Sequence, residues 1–177
     1  IVMERGIMAL KLWTGKSDAN ILYDSHVDPF THDGLFNKVK GKRNITIVAF
    51  TTDGDVFGGF LNVSVTKQDE QFYDPNIFIF SLESHGRCMV PQRFIVEEGL
   101  KKKAYMKFLK NNSWGFVQIG VARVCHFFLG NEKSRSYCID LSDAFEGIQH
   151  TTLTGQNGNW SDGPFHHCCR LVAVQLN

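Results

Sequence analysis

The 177-residue chain has almost no excess of charge of either sign: Lys and Arg number 19, Asp and Glu 18, for a formal net charge of +1. A dedicated nucleic-acid domain ordinarily carries a clear basic surplus, because phosphate contacts supply most of its affinity. The nearest approach to a basic patch is Lys38, Lys40, Lys42 and Arg43, and it reads as a solvated loop. No CxxC pair occurs among the five cysteines, Cys88, Cys125, Cys138, Cys168 and Cys169. An odd count leaves at least one thiol unpaired within the chain. Two of the five lie in apolar runs, as small buried hydrophobes do, so a reducing, cytoplasmic compartment is expected. No apolar stretch is long enough to span a bilayer, and no signal peptide is visible. The sequons at Asn44, Asn62, Asn111 and Asn159 are therefore read as chance matches. Internal repeats and low-complexity tracts are also missing. The first residue is Ile1 rather than Met, so the chain is expected to be a fragment of a longer protein.

What is present is an ordinary globular composition, 43% apolar and 21% charged, with an unusual 15 phenylalanines. Aromatic wealth of this kind suits a strand-heavy core. Ile45 to Thr51 is a β-branched and aromatic run, Asp53-Gly54 reads as a two-residue hairpin turn, and a second strand follows from Asp55. Gly58-Gly59 within that strand predicts a bulge or a close approach of another backbone. Thr31 can cap a short helix carrying Leu35, Phe36 and Val39, with Gly41 ending it. Ile7 to Trp13 fits a strand or a helical turn. Ile77 to Leu82 and the terminal run Cys169 to Leu176 are apolar on both faces, as in strands covered from both sides. Further strands are expected at 93–96, 104–109, 116–121, 123–129 and 137–141, with 67–73 a polar loop. The total is about nine strands, and the long periodic helices of a parallel βαβ fold are absent. The expectation is an α+β, mostly β fold: a two-layer antiparallel β-sandwich flanked by short helices. Residues 1–20 read as a leader or the end of an upstream region, and 21–177 as the domain.

No residue pattern carries a convincing catalytic set. Cys125 and His126 are strand neighbours and leave opposite faces, and the cluster His166-His167-Cys168-Cys169 matches no four-ligand zinc spacing. Asp53-Gly54-Asp55 lacks the distant glutamate of a calcium loop. Gly54-x-x-x-Gly58-Gly59 lacks the Lys and the helix of a phosphate loop. No metal or cofactor is therefore expected. Cys88, in a loop beside Arg87, is the best candidate for a reactive thiol. His126 reads as a core histidine.

The stretch Ile45 to Phe60, ITIVAFTTDGDVFGGF, resembles the start of the TLDc domain of the oxidation-resistance protein family. Gly54, Phe57, Gly58, Gly59 and Phe60 match its G-x-x-F-G-G-[YF] strand. Ile21 to Lys42 is similar to the family's entry segment, and Pro75 to Leu82 to its phenylalanine-rich strand. The final strand departs from the family, reading Leu171-Val172-Ala173-Val174-Gln175 where a glutamate usually precedes a closing Val-Trp. The resemblance implies a β-sandwich, protection against oxidative stress without an established catalytic mechanism, and binding to the vacuolar proton-pumping ATPase. It makes a protein-interaction domain the first expectation. The hairpin residues Asp53 and Asp55 and the loop Thr151 to Pro164 are its candidate binding surfaces. A thiol-based peroxide scavenger or redox enzyme acting through Cys88 is the alternative. A nucleic-acid regulator acting through Lys38 to Arg43 is weaker still.

Overall fold

The computed structural model describes residues 2–110, 115–130, 135–158 and 165–177. Its elements are α1 (Val2–Thr14), β1 (Ala19–Asp24), α2 (His32–Val39), β2 (Ile45–Thr51), β3 (Val56–Leu61), β4 (Gln71–Tyr73), β5 (Phe78–Glu83), β6 (Gln92–Ile95), β7 (Ala104–Phe108), β8 (Gly115–Val121), β9 (Val124–Gly130), β10 (Tyr137–Cys138) and β11 (Cys168–Leu176). Short 3-10 turns lie at Glu98–Lys103 and Leu141–Asp143. The strands form two sheets, one of order β1-β11-β2-β3-β5-β6 and one of order β10-β9-β8-β7-β4. Every named pair is antiparallel. The protein is thus mostly β, with two antiparallel sheets and few short helices, as the strand patterning requires.

Side-chain alternation builds two cores from the six-stranded sheet. Ile45, Ile47 and Ala49 of β2 and Phe57 of β3 face Met106, Val117, Ile119 and Phe127 of the other sheet. Val48, Phe60, Phe78, Phe80, Val172 and Val174 point the other way, where Leu10 of α1 joins them. A sheet covered on both faces must be apolar on both, which accounts for the unbroken runs of β5 and β11.

Residues 1–20, read from sequence as a leader, contain α1 and the first two residues of β1. The open choice at Ile7 to Trp13 resolves to helix. Met3, Gly6, Leu10 and Trp13 recur every three or four residues and lie on the face turned to the sheet. Full burial of Leu10 contributes about 2 kcal/mol. Helix α2 begins as its cap predicts, with Thr31 Oγ1 accepting from Gly34 N at 3.0 Å.

Three local expectations are corrected, and the choice left open at Gly58-Gly59 is resolved. The β2–β3 connection has three residues, Thr52 to Gly54, because Thr51 N donates to Asp55 O at 3.0 Å. The bulge of β3 lies between Val56 and Phe57, opposite β5, and Gly58-Gly59 pair in regular register. What those glycines provide is close approach. A Cβ on Gly58 would overlap the Ile47 carbonyl oxygen and lie 2.7 Å from Phe80 Cζ, and one on Gly59 would overlap Ile119 of the facing sheet. The segment 71–73 is strand β4 rather than loop. Only Phe72 is buried there, so one alternation was the whole signal. The strand expected at 137–141 is only two residues long before the chain turns into a 3-10 segment.

Candidate functional site at the hairpin tip

The tip of the β2–β3 hairpin is held from beneath by a buried charge. Gly54 N donates to Thr51 O at 3.0 Å, and Gly54 sits at φ +89, the left-handed conformation that closes a three-residue hairpin. Thr52, Asp53 and Gly54 are exposed. Asp55 is not: it is 2% exposed, which corrects the expectation that it forms part of the binding surface. Its backbone N donates to Thr51 Oγ1 at 3.0 Å. Its carboxylate Oδ1 lies 2.9 Å from His85 Nδ1 and accepts a hydrogen bond from Arg87 Nη2. Burying a carboxylate is costly unless it is paired and hydrogen-bonded, and this one is both.

Arg87 extends the network. Its Nε donates to Thr152 O at 3.0 Å and its Nη2 to Leu153 O at 3.1 Å. One guanidinium therefore joins the hairpin, the loop after β5 and the loop beyond Gln149. The loop after β5 is also held at its start, since Glu83 Oε1 accepts from the N–H groups of Ser84 and His85 at 2.9 and 3.0 Å. The His85 ring lies over Gly54, 3.3 Å from where a Cβ would stand. A side chain at position 54 would be strained by its φ and would press on that ring.

Behind Asp55 lies His166, 2% exposed, with neither ring nitrogen hydrogen-bonded among the described residues. Its ring meets the edge of Phe57 at 5.3 Å between centroids, and Phe57 meets Phe127 at the same distance. Burial pushes the imidazole down to about 4, against the pull of Asp55. His166 therefore packs as a neutral aromatic ring.

The other sequence candidates fall elsewhere. Phe57 is fully buried and Phe60 almost so, on opposite faces of β3. Together with Gly58 and Gly59 they are packing residues. Cys88 is partly buried, and its N–H donates to Ser84 Oγ at 2.7 Å. With Arg87, Gln92, Phe94, Gln149 and Thr152 it lines a cavity of about 300 Å³. Burial pushes the thiols of Cys125 and Cys168 up to about 11 and about 12, and that of Cys138 further still. His126 is a buried core histidine, with Nδ1 3.1 Å from Ile139 O and its pKa lowered by burial. Lys38 reaches Asp28 at 3.0 Å, and Lys40, Lys42 and Arg43 are exposed between α2 and β2. Of the loop Thr151 to Pro164, residues 159–164 lie outside the described residues, as do the sequons at Asn111 and Asn159. Among the described residues no three His, Cys, Asp or Glu side chains are grouped to hold a metal ion, and no helix is long and apolar enough to cross a membrane.

Sequence reasoning missed the Asp55–His85–Arg87 network because its members lie about thirty positions apart. The signal was in the strand order. Once β5 pairs beside β3, with Val56 opposite Glu83, residues 84–87 must emerge next to 53–55. The glycine, phenylalanine and double glycine that this register accommodates are the residues that set the family resemblance. A model of the TLDc domain matches residues 6–160. The chain belongs to the TLDc family. The TLDc match begins inside α1 and ends before β11. This family is generally linked to the oxidative-stress response. No curated protein matches the chain.

Proposed function

We propose that this TLDc domain is a non-enzymatic protein-interaction module of the cytoplasm, acting in oxidative-stress protection with the vacuolar proton-pumping ATPase as its partner. The observation that carries the reading is the hairpin tip. Thr52, Asp53 and Gly54 are exposed on a support that Asp55, His85 and Arg87 fix in place. Exposed loops on a rigid scaffold are where binding residues concentrate, and a preorganised loop loses little entropy on binding. The test is binding of the full chain to the purified peripheral sector of the proton pump. Wild type binds, and Asp53→Lys, which changes only an exposed side chain, binds at least about tenfold more weakly. Wild type that fails to bind, or a variant that binds equally well, overturns the proposal.

A second reading has its own observation, the cavity that Cys88 lines beside Arg87. In it the Cys88 thiolate attacks one peroxide oxygen, the O–O bond breaks to give a sulfenic acid, and the hydroxide expelled takes a proton from solvent and leaves as water. One small-molecule thiol then condenses with the sulfenic acid, releasing water and forming a mixed disulfide, and a second releases the Cys88 thiol and carries away the small-molecule disulfide. Peroxide consumption in excess small thiol is compared between wild type and Cys88→Ser. Equal rates discard this reading.

A further inference from the structure

We infer that the cleft under the C-terminal end of α1 docks an acidic peptide segment whose large apolar or aromatic side chain enters the cleft. The inference deepens the protein-interaction reading and rests on it. The cleft has a volume of about 320 Å³ and lies on the outer face of the six-stranded sheet. Phe60 and Asn62, at the end of β3 away from the hairpin tip, line it, so the two surfaces sit at opposite ends of the same strand.

Its wall is aromatic. Phe60 and Phe78 stack at 5.0 Å between centroids, and Trp13 meets Phe78 edge-on at 6.1 Å. Three cations also line it, Lys16, Arg93 and Lys101, and among the described residues no Asp or Glu does. Arg93 is fixed in place, with its guanidinium 5.9 Å from the Phe78 centroid and Nη1 donating to Trp13 O at 2.6 Å. Lys16 has no carboxylate partner among the described residues. Lys101 pairs with Glu98, whose side chain is 84% exposed, and such a pair yields readily to a better anion. A chain of net charge +1 thus gathers three positive charges around one aromatic recess. The volume lies at the bottom of the range for small-molecule sites and suits one large side chain. Aromatic and arginine anchors ringed by like charge are what recognise an apolar residue flanked by carboxylates.

The probe is a fluorescent peptide, Glu-Glu-Phe-Glu-Glu, titrated with the full chain and read by anisotropy. Saturable binding is expected, and it weakens as salt rises. It falls about tenfold or more in the double variant Lys16→Glu, Lys101→Glu, which circular dichroism shows to be folded. Replacing the central Phe by Gly weakens binding by about tenfold. Equal binding by a Lys-for-Glu peptide, or equal binding to the charge-reversed variant, overturns the inference. Displacement of the peptide by hydrocinnamate at matched affinity also overturns it, in favour of a small aromatic acid. The same double variant is then tested on the proton-pump sector. If the peptide does not bind wild type while the sector binds both chains alike, the cleft inference fails and the proposed function stands. If wild type binds neither, both fail.

Discussion

The two ends of strand β3 treat charge in opposite ways. At the hairpin end a carboxylate, Asp55, is buried and meets a counter-charge from the same chain, Arg87, with the His85 ring hydrogen-bonded beside it. At the far end the cations Lys16 and Arg93 line a recess that no acid lines among the described residues. Charge that the chain neutralises for itself holds the fold together. Charge of one sign left uncovered beside aromatic rings is available to something outside. Removing the buried acid is therefore expected to cost stability, and removing the uncovered Lys16 to cost almost none.

The sharpest break of this contrast comes from Gly58→Val, which drives a side chain into the Ile47 carbonyl and the Phe80 ring. Circular dichroism is expected to show no cooperative unfolding transition, so the hairpin's core cannot be altered to test its tip. Next comes Asp55→Ala. It removes the buried carboxylate together with its hydrogen bonds to Arg87 and His85, and the urea midpoint should report a loss of about 3 kcal/mol. Asp24→Ala supplies the scale, because the Asp24 carboxylate is more open to water than that of Asp55 and its loss is expected near about 1 kcal/mol. The third effect depends on pH. His166 binds its proton far less readily in the folded chain, at about 4 against an ordinary 6.5. Its full stability is present above about pH 6.5 and drains away as pH falls towards 4, by on the order of 3 kcal/mol. His166→Phe should flatten that part of a stability-against-pH profile, and an unchanged slope would assign the acid sensitivity to other groups. The smallest effect is that of Lys16→Ala, whose unfolding midpoint should stay within about 0.5 kcal/mol of wild type.

Most of the architecture was legible because alternation and apolar runs translate directly into strands. The two-sided burial of β5 and β11 followed from unbroken hydrophobic stretches, and the helix at His32–Val39 from a Thr cap and one apolar stripe. What was not legible depended on partners distant in sequence. Asp55 looked like a surface acid because its own neighbours are turn residues, and only pairing with the loop after β5 buries it. Helix α1 was ambiguous because Gly6 interrupts its apolar stripe, and only the approach of Leu82 explains a glycine there. The cleft is assembled from five separate segments, and no local pattern marks it.

The place of β11 in the first sheet bears on how a ribosome can deliver this protein. The strand Cys168–Leu176 lies between β1 and β2, and among the described residues it is the strand that pairs with β1. While the chain is being synthesised, β2, β3, β5 and β6 can pair in order as they emerge. Strand β1 must wait unpaired until synthesis has passed residue 176, since Ala19 meets Leu176 and Asp24 meets Val172. Contacts of such long sequence separation close late. A nascent chain stalled just short of residue 168 would hold four strands of the sheet in place and leave β2 with a bare edge, exposed to any strand that reached it first.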